Sequence, residues 1–251
     1  AEKLAELGYV TMAYDASYQG ESEGSPHNLE DPSSRVEDVR AAVDYFNTLN
    51  FVDDERIGAL GICAGGGYTI KATQTEKRIK AVVGISAADI GQNFRKGWNG
   101  DQNEEDINAV LDQVAEQRKA EAQGAEQKLV GFVPDEPTDD MDQETKDGWE
   151  YYRTPRAQHE RSINQFPFIS FDRMIEFTAF DLVDKLLTQL VLFIAGSEAG
   201  TRWQSEHAYE RALEPKDIFI VDGANHFDMY DKEPYVSQAV NKMKDFYNQY
   251  L

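Results

Sequence analysis

The chain has 251 residues, room for one large α/β domain or two small ones, and its 41% hydrophobic content suffices for a sizeable core. A balance of 46 acidic to 25 basic residues gives a formal charge of −21, which excludes the basic surface that nucleic-acid backbones require. No run approaches the roughly 18 apolar residues that would span a membrane, and a single cysteine leaves no internal disulfide, so a reducing, cytoplasmic setting is expected.

In chain order, residues 1–7 read as a short amphipathic helix stopped by Gly8. Tyr9 to Tyr14 is a β-rich run that predicts a buried strand, followed by the turn-rich loop Asp15-x-x-x-x-Gly20-x-Ser22-x-Gly24. Residues 33–49 have a helical period with Val36, Val39, Val43 and Phe46 on one face, and Ser33 or Ser34 is placed to cap it. A second apolar run, Arg56 to Ile62, ends in Gly61-Ile62-Cys63-Ala64-Gly65 and leads into a helix-compatible segment. Strand, sharp turn and helix in that order form the pattern of a nucleophile elbow, here with Cys63 at the apex. Glycines at 61 and 65 are expected there because strand and helix pass too close for side chains.

Ile79 to Ile85 is a further strand, closed by Ser86-Ala87-Ala88-Asp89. From residue 91 to about 178 the alternation breaks. A polar helix over 110–127, a Pro- and Asp-rich connection over 132–147 and the aromatic, basic stretch Trp149 to Arg156 are too long together for an ordinary loop. This stretch reads as an inserted helical lid, residues 91–178, in a core made of residues 1–90 and 179–251. A helical period returns over 175–187, then a strand at Leu190 to Ala195, a helix at 206–213, a strand at Ile218 to Val221 and a closing helix at 236–250. Alternating strands and helices predict a mostly parallel sheet covered on both faces.

In such a sheet ligands meet the carboxyl ends of the strands. Three of those ends carry candidates: Cys63, the turn from Gly196 to Gly200, and Asp222-Gly223-Ala224-Asn225-His226. A thiol beside an imidazole becomes a usable nucleophile, and a carboxylate on the far ring nitrogen holds the imidazole in the required tautomer. His27, His159 and His207 have no comparable placement. The histidines and the cysteine offer no metal-ligand spacing, so neither metal nor cofactor is expected.

Tyr14-Asp15 with Gly20-x-Ser22-x-Gly24, the elbow around Cys63, Ala195-Gly196-Ser197-Glu198 and Asp222 to His226 together resemble the α/β hydrolases of the dienelactone-hydrolase type. The resemblance implies an α/β-hydrolase fold and a cofactor-free hydrolase cleaving an ester, lactone or thioester. It makes Cys63 the nucleophile, His226 the general base and the Ala64 backbone N–H an oxyanion donor. Relatives carry the acid after the strand that here is Leu190 to Ala195, where the turn offers Glu198. Asp89, after the neighbouring strand, is the other candidate, and a Cys-His dyad without an acid is the third arrangement.

The family also has a strand between the one expected at Tyr9 to Tyr14 and the elbow strand. The resemblance leaves the N-terminal strands missing from this sequence, which predicts a sheet with a gap unless an N-terminal fragment or a second copy of the chain completes it. An acyltransferase of the same mechanism and a catalytically impaired binding protein are the alternative functions. Arg153 and Arg156 are candidates for a substrate carboxylate, against the simpler reading that they pair with local acids.

Overall fold

Four apolar runs become one parallel sheet, and the computed structural model describes the chain around it at residues 1–102 and 105–251, without the side chains of 105 and 106. Helix α1 (Glu2–Glu6) precedes an extended segment and a loop that lead to α2 (Pro32–Phe46). Then follow β1 (Ile57–Ile62), α3 (Ala64–Thr73) and β2 (Ile79–Ile85). Between β2 and the next sheet strand lie α4 (Ile90–Lys96), α5 (Glu105–Ala122), β3 (Leu129–Val130), α6 (Gln143–Arg153), β4 (Phe166–Pro167), α7 (Ser170–Glu176) and α8 (Val183–Leu186). The chain closes with β5 (Leu190–Gly196), α9 (Arg202–Arg211), β6 (Lys216–Val221), α10 (Asp228–Asp231) and α11 (Tyr235–Tyr250). The sheet order is β1-β2-β5-β6, while β3 and β4 form a separate antiparallel pair.

The central strands β2 and β5 are apolar throughout because both faces are covered. On one face Val83, Leu192 and Ile194 pack with Met243 and Phe246 of α11. On the other, Val82 and Phe193 pack with Ile70 of α3, Phe180 and Ala208 of α9. Each such fully buried side chain contributes about 1.5–3 kcal/mol, so the carboxyl ends of these strands form a rigid platform.

Several helix ends differ from expectation. Asp31, not Ser33 or Ser34, caps α2, its carboxylate accepting from both serine N–H groups while Pro32 takes the first turn. The periodic stretch 175–187 is split into α7 and α8, because the carbonyls of Ile175 and Phe177 turn away to accept from Arg95 and the Ala179 N–H goes to Asp89. The polar helix begins at Glu105, earlier than expected, and the aromatic stretch at 149–153 is the second half of α6.

Tyr9 to Tyr14 does not become a strand. The segment takes no regular element and enters no ladder, and among the described residues β1 pairs only with β2. Among the described residues the sheet ends at β1, and a run without a hydrogen-bonding neighbour has no ladder to join. Part of the exposed edge is satisfied otherwise: the Tyr247 hydroxyl of α11 donates to Ala59 O at 2.8 Å. No helix among the described residues is long and apolar enough to cross a membrane.

Candidate active site

The turn after β1 holds Cys63 at φ 55° and ψ −131°, a conformation that side chains other than glycine rarely take. Neighbouring contacts enforce it. A Cβ on Gly61 would lie 2.3 Å from Gly65 O, and one on Gly67 would lie 2.2 Å from Ala88 O, so strand and helix touch through backbone. Gly65 departs from expectation, since a Cβ there meets nothing within 4 Å; it faces the cavity instead of the strand. Gly61→Val is accordingly expected to cost about 3 kcal/mol, while Gly65→Ala gains up to about 1 kcal/mol of helix propensity. Urea unfolding of the two variants checks the contrast, and equal losses would contradict it.

Cys63 is half-buried at the start of α3. Burial pushes its thiol up, offset in part by hydrogen bonds from the Tyr230 hydroxyl and the Ala64 backbone N–H. The Ala64 N–H is the first backbone donor of α3, adjoining the sulfur.

His226 follows β6 and is fully buried. Its Nε2 lies 2.7 Å from the Tyr230 hydroxyl and its Nδ1 lies 2.5 Å from Thr201 Oγ1. The ring of Trp98 packs at 4.6 Å. With no charged partner on the ring, burial alone lowers the His226 pKa to about 3.

Neither candidate acid reaches the imidazole. Glu198 is exposed, and it contacts the histidine loop only through its backbone N–H, which donates to Ala224 O at 2.9 Å. Asp89 is fully buried but caps α4, accepting from Gln92 N and from Ala179 N at 2.8 Å. The place an acid would take on Nδ1 is filled by the Thr201 hydroxyl. The structure therefore places Cys63 and Ala64 at the start of α3 and turns the His226 ring to Thr201 and Tyr230, while Glu198 and Asp89 stand apart from the imidazole.

Sequence reasoning missed Thr201, Tyr230 and Glu144. Tyr230 carried a legible signal, four residues after His226 and so one helical turn along. Glu144 of α6 carried none. Its carboxylate accepts from the backbone N–H of His226 and of Gly200 and from Trp98 Nε1, at 2.9, 3.0 and 2.5 Å. Arg156 is not free for a substrate carboxylate: its Nε and Nη2 grip Asp231 at 2.9 and 2.6 Å and Nη2 also reaches Phe227 O. It anchors the loop and short helix that carry His226 and Tyr230. Arg153 stands 3.9 Å from Asp135 at the surface.

The aromatic residues of the inserted stretch divide by task. Phe166 and Phe168 are buried and meet Phe171 edge to face, at 5.4 and 5.2 Å, which is packing. Trp98 and Tyr152 instead line a cavity of about 1220 Å³ that also takes in Cys63, Phe94, Phe132 and Phe227 and runs on into the gap beside β1. The described residues contain no cluster of three or more His, Cys, Asp or Glu side chains arranged to hold a metal ion.

An elbow at the carboxyl end of β1, a histidine after β6 and a parallel sheet between them define an α/β hydrolase, and the sequence matches the Alpha/beta hydrolase family over residues 1–238. The chain belongs to that family. It is 41% identical over 252 residues to the uncharacterized protein YcjY of Escherichia coli (strain K12), covering all of this chain and 82% of that one. Protein PA2218 of Pseudomonas aeruginosa is 36% identical over 239 residues, covering 92% of this chain and 63% of that sequence. Its crystal structure superposes with a TM-score of 0.93 at 34% identity, over 100% of this chain and 78% of that one. A further crystal structure, that of the α/β hydrolase GrgF from Penicillium sp. sh18, shares the fold with a TM-score of 0.75 at 20% identity, over 94% of this chain and 78% of that one. The curated GrgF sequence, from Penicillium sp, is named a polyketide transferase; it is 20% identical over 258 residues, covering 100% of this chain and 82% of that one.

Proposed function

We propose that this protein is a cofactor-independent acyl hydrolase, similar to the dienelactone-hydrolase type, that cleaves an ester, lactone or thioester through a Cys63 acyl-enzyme. The observation that carries this reading is the strained apex position of Cys63 between β1 and α3, at the same end of the sheet as the buried His226 that follows β6. The thiolate attacks the acyl carbonyl, the oxyanion forms against Ala64 N–H, and the His226 side supplies the proton that releases the leaving group. Water then resolves the thioester with His226 as general base. In this reading residues 91–178 act as the lid, contributing Trp98 and Tyr152 to the walls. The lone cysteine suits a cytoplasmic location.

The arrangement works without a carboxylate on the imidazole. A thiol needs less activation than a hydroxyl, and Thr201 Oγ1 is positioned to accept the Nδ1 proton and hold the tautomer. Acyl transfer is the second reading, favoured by the name of GrgF and by the apolar walls of the cavity, which would favour an acceptor other than water.

The test is pre-steady-state hydrolysis of p-nitrophenyl acetate and butyrate with intact-protein mass spectrometry. A burst of one nitrophenolate per chain, with an acyl adduct on Cys63 that vanishes in Cys63→Ala, is the expected result. Absence of both burst and adduct would leave a hydrolase fold retained for binding. Adding small alcohols, amines or thiols separates hydrolysis from transfer by the product formed.

A further inference from the structure

We propose that Glu144 is a positioning residue for His226: from the inserted helix α6, its carboxylate holds the backbone of the histidine and of the turn that carries its Nδ1 partner in one register. The proposal rests on the reading of His226 as the base. Its basis is where the two carboxylate oxygens point. Oε1 accepts from the His226 N–H at 2.9 Å, while Oε2 accepts from the Gly200 N–H at 3.0 Å and from Trp98 Nε1 at 2.5 Å. Gly200 precedes Thr201, whose Oγ1 lies 2.5 Å from His226 Nδ1, and the Trp98 ring packs 4.6 Å from the imidazole. One carboxylate thus bonds the histidine, the residue before its hydroxyl partner, and the indole that packs on its ring.

The surroundings are built to this bond pattern. A Cβ on Gly200 would lie 2.6 Å from Glu144 Oε2, 2.4 Å from Asn99 Oδ1 and 2.6 Å from Trp98 Cδ1, so only glycine lets the carboxylate reach that N–H. Thr201 stands at the N-cap of α9, where a hydroxyl ordinarily accepts from a backbone N–H. It makes no such bond and turns to the imidazole instead. Helix α6 is also tied to the histidine loop one turn further on. Asp147 accepts from Asn225 Nδ2 at 2.5 Å and from Gln143 Nε2 at 2.8 Å, and a Cβ on Gly148 would lie 2.8 Å from Phe227 Cζ.

The pattern calls for a carboxylate and not merely for a polar side chain. Three N–H donors meet it, and two ionised oxygens accept all three. A glutamine of the same shape offers one oxygen. Its NH2 group would face either the His226 N–H or the pair from Gly200 and Trp98, donor against donor. The histidine loop and the Thr201 turn could then shift independently. An imidazole whose Nδ1 partner is loose no longer keeps one tautomer, and a general base needs its lone pair on one fixed nitrogen. Both ring nitrogens are taken by Thr201 and Tyr230, so Glu144 acts on the ring through backbone and through Trp98.

The experiment records the nitrogen NMR shifts of the His226 ring at neutral pH, assigned by their loss in His226→Ala, for the wild type and Glu144→Gln. Beside them it measures kcat and KM with p-nitrophenyl butyrate. Expected in the wild type is a single ring tautomer with a slowly exchanging ring N–H. In Glu144→Gln the two tautomers mix, and kcat falls roughly 10- to 100-fold while KM changes much less. An unchanged ring in a folded Glu144→Gln, or a kcat within a few-fold of wild type, would overturn the positioning. Should Glu144→Gln fail to fold, the wild type decides alone, since a ring already divided between tautomers would overturn the proposal and a single protected tautomer would support it. Near-normal turnover in His226→Ala would remove the base reading itself, whereas an unchanged ring in Glu144→Gln with His226→Ala inactive would sink the positioning alone.

Discussion

His226→Ala is expected to lower turnover by about 10³-fold or more, and Glu198→Gln to change it by no more than a few-fold. The asymmetry comes from geometry. His226 is fully buried after β6, its Nε2 2.7 Å from the Tyr230 hydroxyl and its Nδ1 on Thr201. Glu198 sits in the turn where relatives of this fold are expected to hold an acid, but its side chain is exposed and Thr201 occupies the ring's second nitrogen. Steady-state kinetics on an activated ester, with folding checked by circular dichroism, measures both. A loss of several orders of magnitude in Glu198→Gln would show that the loop rearranges during turnover to bring the carboxylate onto Nδ1. Near-normal turnover in His226→Ala would remove the histidine from the mechanism.

Acidification below about pH 6.5 is expected to destabilise the protein through His226, whose folded pKa is lowered from 6.5 to about 3. The unfolded chain takes up a proton there before the folded one does, so stability falls as pH falls and the loss is complete only near the folded value. Each pH unit in the window is worth about 1.4 kcal/mol, hence about 3 kcal/mol by pH 4.5. That is a large part of a typical net stability of about 5–15 kcal/mol.

The window isolates this residue. Glu76 and Glu233 are held below their ordinary 4.5 by Arg78 and Lys3, so they begin to cost only under that pH. Asp89, raised by burial, works in the opposite direction, since its folded form takes up a proton first. Urea unfolding between pH 7 and 4.5 checks the slope, and His226→Gln should flatten it. Parallel pH profiles for wild type and variant would assign the loss elsewhere. The same burial predicts that Cys63 and His226 rest as neutral thiol and neutral imidazole, because burial raises one and lowers the other.

The amino-acid sequence by itself determined the parallel sheet, the elbow and the histidine after the last strand. Those signals are local: apolar runs of strand length, Gly61 before Cys63, and a Gly-containing loop ahead of His226. That Tyr9 to Tyr14 stays out of the sheet was not legible, since β propensity has no ladder to act through when the adjoining edge is unfilled.

What only the tertiary structure decided is who touches the imidazole. Glu198, Asp89 and Thr201 all lie just beyond strand ends, and nothing in their spacing ranks them. Side-chain direction does: Asp89 turns to cap α4, Glu198 turns to solvent, and Thr201 turns inward to Nδ1. The contacts of Glu144 and Arg156 join residues far apart in the chain, at separations of 82 and 75. Such contacts follow from packing across the fold and leave no pattern of neighbours in the sequence. The elbow cysteine and the histidine after the last strand were therefore readable from local order, while the hydroxyls of Thr201 and Tyr230 that flank the imidazole required the folded chain.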